Sequence, residues 1–355
     1  MPLHAPLHAP LHTPLPSLWA MAAAPMQAHA LEQALELGLL PLLRRPLPAD
    51  AVAQRLALAP KATALWLELL WSMGWLARHE RAAQPGAPLY VASPQAQRWL
   101  TEGSGENIAQ AWLFRMRFLR QFAAQWPALL RHGGNAPAAA PAPLTTWGEA
   151  ARQHIAQEQQ AITAPAALAL LDTLHALPER GHFLDLGGGP GWVAIALAQR
   201  LPGWQGTVCD QAEAAAVAED NIQAAGLSAR LRAQACDLNE DFPALAGEEG
   251  YGLIWCSALL HFLREPLALL RQARAALRPG GLLLLAHAEQ TRHAELAAQT
   301  LPFYGPLALR GQYLPQEGEI PRLMAQAGLT DIQTLGLAAL PMAPVCVHAG
   351  RAPLN

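Results

Sequence analysis

The run His182-Phe183-Leu184-Asp185-Leu186-Gly187-Gly188-Gly189-Pro190-Gly191 constrains this chain more than any other. An apolar stretch ends in an acid, passes through a glycine-packed turn and enters Trp192-Val193-Ala194-Ile195-Ala196-Leu197-Ala198. The pattern predicts a strand, a tight loop and a helix. Glycine lacks a Cβ and tolerates positive φ, so a ligand can lie against bare backbone there. The helix that follows points its free N–H groups at the same place. The spacing narrows the ligand. A dinucleotide fingerprint needs G-x-G-x-x-G, and from Gly187 the last slot is Trp192. No Gly-Lys-Ser/Thr follows either, which removes a phosphate loop.

Further signals follow in order. Thr207-Val208-Cys209-Asp210 is a short strand ending in an acid, and Ala235-Cys236-Asp237-Leu238 sets a second acid after the strand-like Arg230–Ala233. Tyr251–Ser257 reads as a buried strand, and His261 comes within a turn of it. Ala276-Leu277-Arg278-Pro279-Gly280-Gly281 closes a helix and opens the strand Leu282–Ala286, with proline and paired glycine as stop-and-turn chemistry.

The spacing Asp185-x-Gly187-x-Gly189-x-Gly191, with these signals in register behind it, resembles the class I S-adenosylmethionine-dependent methyltransferases. The resemblance implies S-adenosyl-L-methionine as cofactor, held by Asp185, Gly187, Gly189, Gly191, Asp210, Cys236, Asp237, Leu238 and Ser257. Asp210 would accept both ribose hydroxyl protons, and Asp237 would take the adenine amino group.

The chain has 355 residues, room for two domains. It is 52% hydrophobic and 14% charged, with a net charge of −3, so polyanion binding has no support. No apolar run reaches membrane-spanning length. Cys209, Cys236, Cys256 and Cys346 have no metal spacing and read as reduced, buried and cytoplasmic, with no metal site implied. Residues 1–16 hold three near-copies of Pro-Leu-His-Ala, which predict a low-complexity disordered tail, since proline at every fourth position blocks helix and sheet.

Residues 17–133 form the first expected domain. Leu31–Leu43 has helical spacing, Asp50 stands near the start of a second helix, and Lys61–Met73 is a third. Trp75–Arg78 and Leu89–Ala92 read as strands around a turn with Pro85-Gly86. Three helices and a wing would suggest DNA binding, but the third helix carries Leu65, Trp66, Leu67, Leu69, Leu70 and Trp71 in place of base-reading polar residues. A helix apolar nearly all round is expected to be buried on several sides. The arrangement resembles the dimerisation domain of the small-molecule O-methyltransferases of plant-phenolic, acetylserotonin and bacterial antibiotic type. That implies a homodimer with no nucleic acid or membrane partner. Ala111–Phe118 reads as a helix with side chains to roof an apolar pocket. Residues 134–177 form a loop and connecting helices, and 178–355 the cofactor-binding domain.

The expected fold class is therefore α/β, a Rossmann-like doubly wound sheet preceded by a mainly helical winged-helix domain. The resemblance also implies a final antiparallel strand, supplied by Pro344–Gly350, and makes His261 the catalytic base, since imidazole titrates near working pH. The family's His-Asp-Trp is here His261-Phe262-Leu263, and His287 stands where plant members carry a base-orienting glutamate. The second glutamate position falls near Tyr313 or Leu314, with Glu289 out of register. The loop Leu301–Leu314, with Phe303, Tyr304 and Tyr313, is expected to shape the acceptor pocket together with His287. The function implied is O-methylation of a small, largely apolar hydroxylated metabolite in secondary metabolism. C- or N-methylation or another reaction of the same cofactor, and a non-catalytic ligand-sensing dimer, are the rival readings.

Overall fold

The computed structural model describes residues 15–80, 87–133, 146–174, 177–243 and 250–354. The Pro-Leu-His repeats, the Pro85-Gly86 turn and the Ala/Pro-rich run after Gly133 lie outside the described residues. The chain divides into two compact units, Met1–Ala109 and Gln110–Asn355. This division falls before the expected boundary at 133, because the helix that spans it bonds to the C-terminal unit: Gln157 Oε1 accepts from the N–H groups of Gln110 and Ala111.

In the N-terminal unit, α1 (Leu15–Glu36), α2 (Leu39–Leu42), β1 (Leu47–Pro48), α3 (Ala49–Arg55), α4 (Pro60–Ser72), β2 (Leu76–His79), β3 (Leu89–Ala92) and α5 (Pro94–Leu100) follow in order. The strands form a small antiparallel sheet, β1-β3-β2. The helix expected over Leu31–Leu43 is interrupted at Gly38, whose φ of +67° ends the first helical segment before α2 begins. The apolar helix α4 is sided: Leu67 and Leu70 are fully buried and the Trp66 indole donates to Ala30 O at 3.0 Å, while Leu65 and Trp71 face outward. Within the unit the helix is buried on one side, and its Leu65 and Trp71 side stays exposed.

The C-terminal unit opens with α6 (Ala109–His132). A helical run then extends from Trp147 to Thr173: α7 (Trp147–Glu149), a π-helical stretch Ala150–Ile155, α8 (Ala156–Glu158), a second π stretch Gln159–Thr163, and α9 (Ala164–Thr173). Thr146 and Glu149 form a capping box at its start. The second π stretch runs up to Pro165, whose ring and missing N–H disfavour a regular turn.

The sheet elements are β4 (Gly181–Leu186), α10 (Trp192–Arg200), β5 (Trp204–Asp210), α11 (Ala212–Ala224), β6 (Leu231–Ala235), β7 (Tyr251–Ser257), α12 (Pro266–Ala276), β8 (Leu277–His287), α13 (Ala294–Leu309), α14 (Glu319–Gln326), β9 (Thr330–Ala339) and β10 (Pro344–Arg351). Strand order is β6-β5-β4-β7-β8-β10-β9. All pairs are parallel except those of β10, which runs antiparallel to both β8 and β9. The chain winds outward from β4 in one direction and from β7 in the other. The crevice at the carboxyl ends of these neighbours is where such sheets take ligands. Both faces are covered: Phe183, Val208 and Trp255 belong to one apolar cluster, Leu184, Ile254 and Leu285 to the other. The alternation follows the two-residue period of a strand.

Two expectations for this unit need correction. The segment Leu301–Leu314 is helical as far as Leu309, despite Pro302 and Pro306. Each proline removes one ladder donor, yet Thr300 and Tyr304 are buried on this helix and packing outweighs the loss. The run after Ala276 does not turn before its strand. β8 begins at Leu277 and absorbs Gly280, at φ +71°, in a register shift.

Glycines within the strands make room for large neighbours. A Cβ on Gly181 or Gly252 would lie 3.0 Å from the ring of buried Trp204, and one on Gly206 would overlap the Phe183 ring. Gly206→Ala should therefore destabilise the protein by about 1–3 kcal/mol, the scale of overpacking. Gly105→Ala, with nothing within 4 Å, should be nearly neutral. Thermal unfolding of the two variants compares them; equal melting temperatures would contradict this packing.

Candidate active site

The glycine loop sits at the carboxyl end of β4. Gly187, Gly189 and Gly191 adopt φ of +67°, +54° and +81°. A Cβ on Gly188 would lie 2.6 Å from Val208 and 2.8 Å from the Asp185 carboxyl. Side chains are thus excluded here by backbone geometry and by space. Asp210, at the end of β5, accepts the Gly189 N–H at 2.8 Å and the Gln211 N–H at 2.7 Å. Burial still pushes its carboxyl above the ordinary range. Asp185 is 1% exposed, and its Oδ2 has no hydrogen-bond partner. Burial, helped by the charge of Asp210, pushes it up to about 7, against a bond from the Ala194 N–H. Two carboxylates thus share one desolvated loop, and one presents an orphaned oxygen.

The neighbouring strand ends complete this half. Cys236 follows β6, and its N–H donates to Asp210 O at 2.9 Å. Cys209 and Cys236 form a disulfide, with Cα atoms 6.2 Å apart. This corrects the reading of four reduced cysteines: parallel pairing brings together two residues 27 apart in sequence. Cys256 and Cys346 are thiols. Asp237 is exposed and its Oδ1 accepts the Asn239 N–H at 3.0 Å. Leu238 packs on the second apolar cluster, and Ser257 Oγ accepts from the Trp255 indole at 3.1 Å.

His261 lies on a single 3-10 turn, Leu260–Phe262, just past β7. Its Nδ1 is 3.3 Å from Nε2 of His287, at the end of β8. His287 is fully buried, and its Nδ1 is 2.7 Å from Ala288 O. Burial, with the charges of His287 and Arg115, pushes His261 down to about 3, and burial pushes His287 to about 4. Both rings are therefore neutral near pH 7, and the expectation that His261 titrates near working pH does not hold: burial and Arg115 leave it a weak base that holds a proton only transiently. The Tyr304 ring meets His261 edge-on at 5.7 Å, and its buried hydroxyl has no partner. Beside them Arg115 of α6 makes a two-pronged bond to Glu158 of α8, each prong 2.7 Å. Phe262 packs on the His261 ring at 4.0 Å and on Trp147 at 5.6 Å.

The structure thus gathers His261, His287 and Tyr304, and separately the glycine loop with Asp210. Tyr313 is not brought to His261: its hydroxyl donates to Glu319 at 2.9 Å and its ring packs on the second cluster. Phe303 packs against the first. Glu289 belongs to another group, bonding His348 Nε2 at 3.0 Å, with Cys346 alongside. Thr334 takes the other His348 nitrogen at 3.1 Å, so that ring is bonded on both sides. Several site residues had no sequence signal. Gln159 donates to Gly188 O and accepts from the Trp192 N–H, each at 3.0 Å, tying the loop to the first turn of α10. Arg115, Glu158 and Trp147 are likewise contacts across long sequence separations, and neither spacing nor periodicity marks them.

Comparison with known proteins is consistent across the chain. Residues 156–334 match the family described as "Methyltransferase domain". Acetylserotonin O-methyltransferase of Mus musculus is 27% identical over 305 residues, covering 81% of this chain and 76% of that protein. Aclacinomycin 10-hydroxylase RdmB of Streptomyces purpurascens is 32% identical over 165 residues, 45% of this chain and 43% of that one. Human N-acetylserotonin methyltransferase, solved in complex with SAM, superposes with a TM-score of 0.73 at 20% identity, covering 98% of this chain and 100% of that one.

The buried carboxylate has a pH signature. Asp185 binds its proton more tightly folded, at about 7, than at its ordinary 3.8. The stability this contributes is complete below about pH 4 and is lost as pH rises through about 7. Asp185→Asn should remove that slope, so the melting temperature of the unliganded variant should fall less than wild type between these limits. Parallel melting curves against pH would sink the assignment.

Proposed function

The chain belongs to the methyltransferase-domain family, and from that premise we propose that it transfers a methyl group from S-adenosyl-L-methionine to an oxygen of a small, largely apolar metabolite, as a cytoplasmic homodimer of secondary metabolism. The observation that carries this is the pairing, at the ends of neighbouring strands β4 and β7, of a glycine cradle holding an orphaned carboxylate with a buried neutral histidine. The cradle fits the cofactor. A Cβ at Gly188 would collide with Val208 and the Asp185 carboxyl, so the loop is bare backbone there, and buried Asp185 and Asp210 call for a cationic ligand bearing donors.

The bound cofactor supplies an electrophilic methyl group and its own leaving group. The chain does the rest. Asp210, held by two backbone N–H groups, keeps lone pairs for ribose hydroxyls. Asp237, Leu238 and Ser257 would hold the adenine of the bound cofactor, and Gln159 fixes the loop through its bond to Gly188 O. His261 takes the acceptor's hydroxyl proton as the new O–C bond forms. The Tyr304 hydroxyl is free to bond a polar atom of the acceptor. Phe262 and Trp147 cover apolar surface beside the base.

A dimer is supported by the outward apolar side chains Leu18, Trp19, Met21 and Met26 of α1 and Leu65 and Trp71 of α4. Among the described residues, no helix is long and apolar enough to cross a membrane. The Cys256 and Cys346 thiols agree with a cytoplasmic location, while the Cys209–Cys236 bridge argues the other way. A reaction other than O-methylation is the second reading, favoured by the relative named as a hydroxylase.

Four measurements test the proposal. His261→Ala should lower turnover by on the order of 10²–10⁴, the usual range for losing a general base, with cofactor affinity unchanged; near-full activity would remove His261 as base. Asp210→Ala should weaken S-adenosylmethionine binding by ~1.5–3 kcal/mol, and unchanged affinity in a folded variant by titration calorimetry would contradict its role. Light scattering at micromolar concentration should give twice the chain mass. A monomer would refute the dimer. Methyl-labelled cofactor separates the two readings, since O-methylation leaves the label on product oxygen.

A further inference from the structure

We propose that His287 is a positioning residue that locks His261 into the tautomer with its lone pair on Nε2, making a base oriented by a second histidine with no carboxylate in the pair. This rests on the reading of His261 as the base. The argument runs outward from a backbone carbonyl. Ala288 O can only accept, and it lies 2.7 Å from His287 Nδ1. The proton of that ring is therefore on Nδ1. A neutral imidazole carries one N–H, so His287 Nε2 is a lone pair. It faces His261 Nδ1 at 3.3 Å. Two lone pairs cannot face each other there, so His261 Nδ1 bears hydrogen and donates. His261 Nε2 is left as the free lone pair. One carbonyl thus sets the hydrogen positions of both rings.

The groups around the pair keep it in this state. On the His261 side, the Arg115 guanidinium opposes a proton on the ring, and Glu158, the nearby carboxylate, is taken by both prongs of Arg115. Tyr304 is uncharged, its hydroxyl pushed up to about 12 by burial. On the His287 side, Glu289 is bonded to His348. Among the described residues, Glu158 is bonded to Arg115 and Glu289 to His348, and neither carboxylate bonds either ring of the pair. The pair also gives a fully buried His287 a partner for each ring nitrogen.

Ring nitrogen shifts of ¹⁵N-histidine-labelled full-length protein near neutral pH read the tautomers directly. His261→Gln and His287→Gln difference spectra assign the two residues. Both histidines should be Nδ1–H tautomers in wild type. In His287→Leu, His261 should move toward the Nε2–H form and kcat should fall at least about tenfold, a wrong tautomer being costly to a base. KM for S-adenosylmethionine should hold. His287→Gln, whose amide oxygen can accept from His261 Nδ1, should keep the wild-type tautomer and most of kcat. An Nε2–H tautomer at His261 in wild type overturns the proposal, as does an unchanged His261 tautomer in folded His287→Leu. Should that variant fail to fold, the wild-type and Gln spectra decide. The tautomers are read without turnover. A protein with the expected tautomers that transfers no methyl group overturns the proposed function, and with it the positioning role, while the hydrogen positions of the pair stand.

Discussion

The site depends on one electrostatic constraint: Asp185 and Asp210 are both buried beside a single glycine loop. Like charges in a low-dielectric setting repel strongly. The surrounding architecture answers that repulsion. The positive φ values of the loop turn the Gly189 N–H onto Asp210, and the start of α10 turns the Ala194 N–H onto Asp185. The helix N-terminus adds its own positive end. Gln159 crosses from the π-helical stretch to hold the loop in that shape. One oxygen is left over, so the unliganded loop stays electrostatically unbalanced. A ligand that balances it also stabilises the fold, by mass action.

The other half of the site is built with no net charge. Arg115 and Glu158 cancel, the histidines are neutral, and Tyr304 keeps its proton. The floor comes from strand ends, fixed by the hydrogen bonds of the sheet. Arg115 of α6, Glu158 of α8 and Tyr304 of α13 stand beside the histidines.

What the sequence made legible was local. The ten residues from His182 to Gly191 encode a strand, a turn and a helix start within themselves, and the structure forms all three. The strand ending at Asp210 and the buried run Tyr251–Ser257 were equally plain, since their apolar patterns are continuous. The final antiparallel strand forms at Pro344–Arg351. Legibility ended where tertiary packing overrides local preference. Pro302 and Pro306 read as loop, yet helix α13 absorbs them because Tyr304 is buried on it. The Cys209–Cys236 bridge depends on which strands pair, which spacing does not encode. His287 could be singled out by position, but its part hangs on a carbonyl one residue away and a ring 26 residues back. Arg115 and Gln159 gave no signal, for the same reason.

The placement of β10 has a consequence for how the protein is made. It follows every other described strand in sequence, yet it lies inside the sheet, between β8 and β9. Until the ribosome has released Pro344–Arg351, β8 is an open edge, and the strand bearing His287 is paired on one side only. An unpaired edge invites pairing with other chains. The nascent chain can thus complete its glycine loop early in synthesis, while the half of the sheet that seats the histidines waits for the final strand.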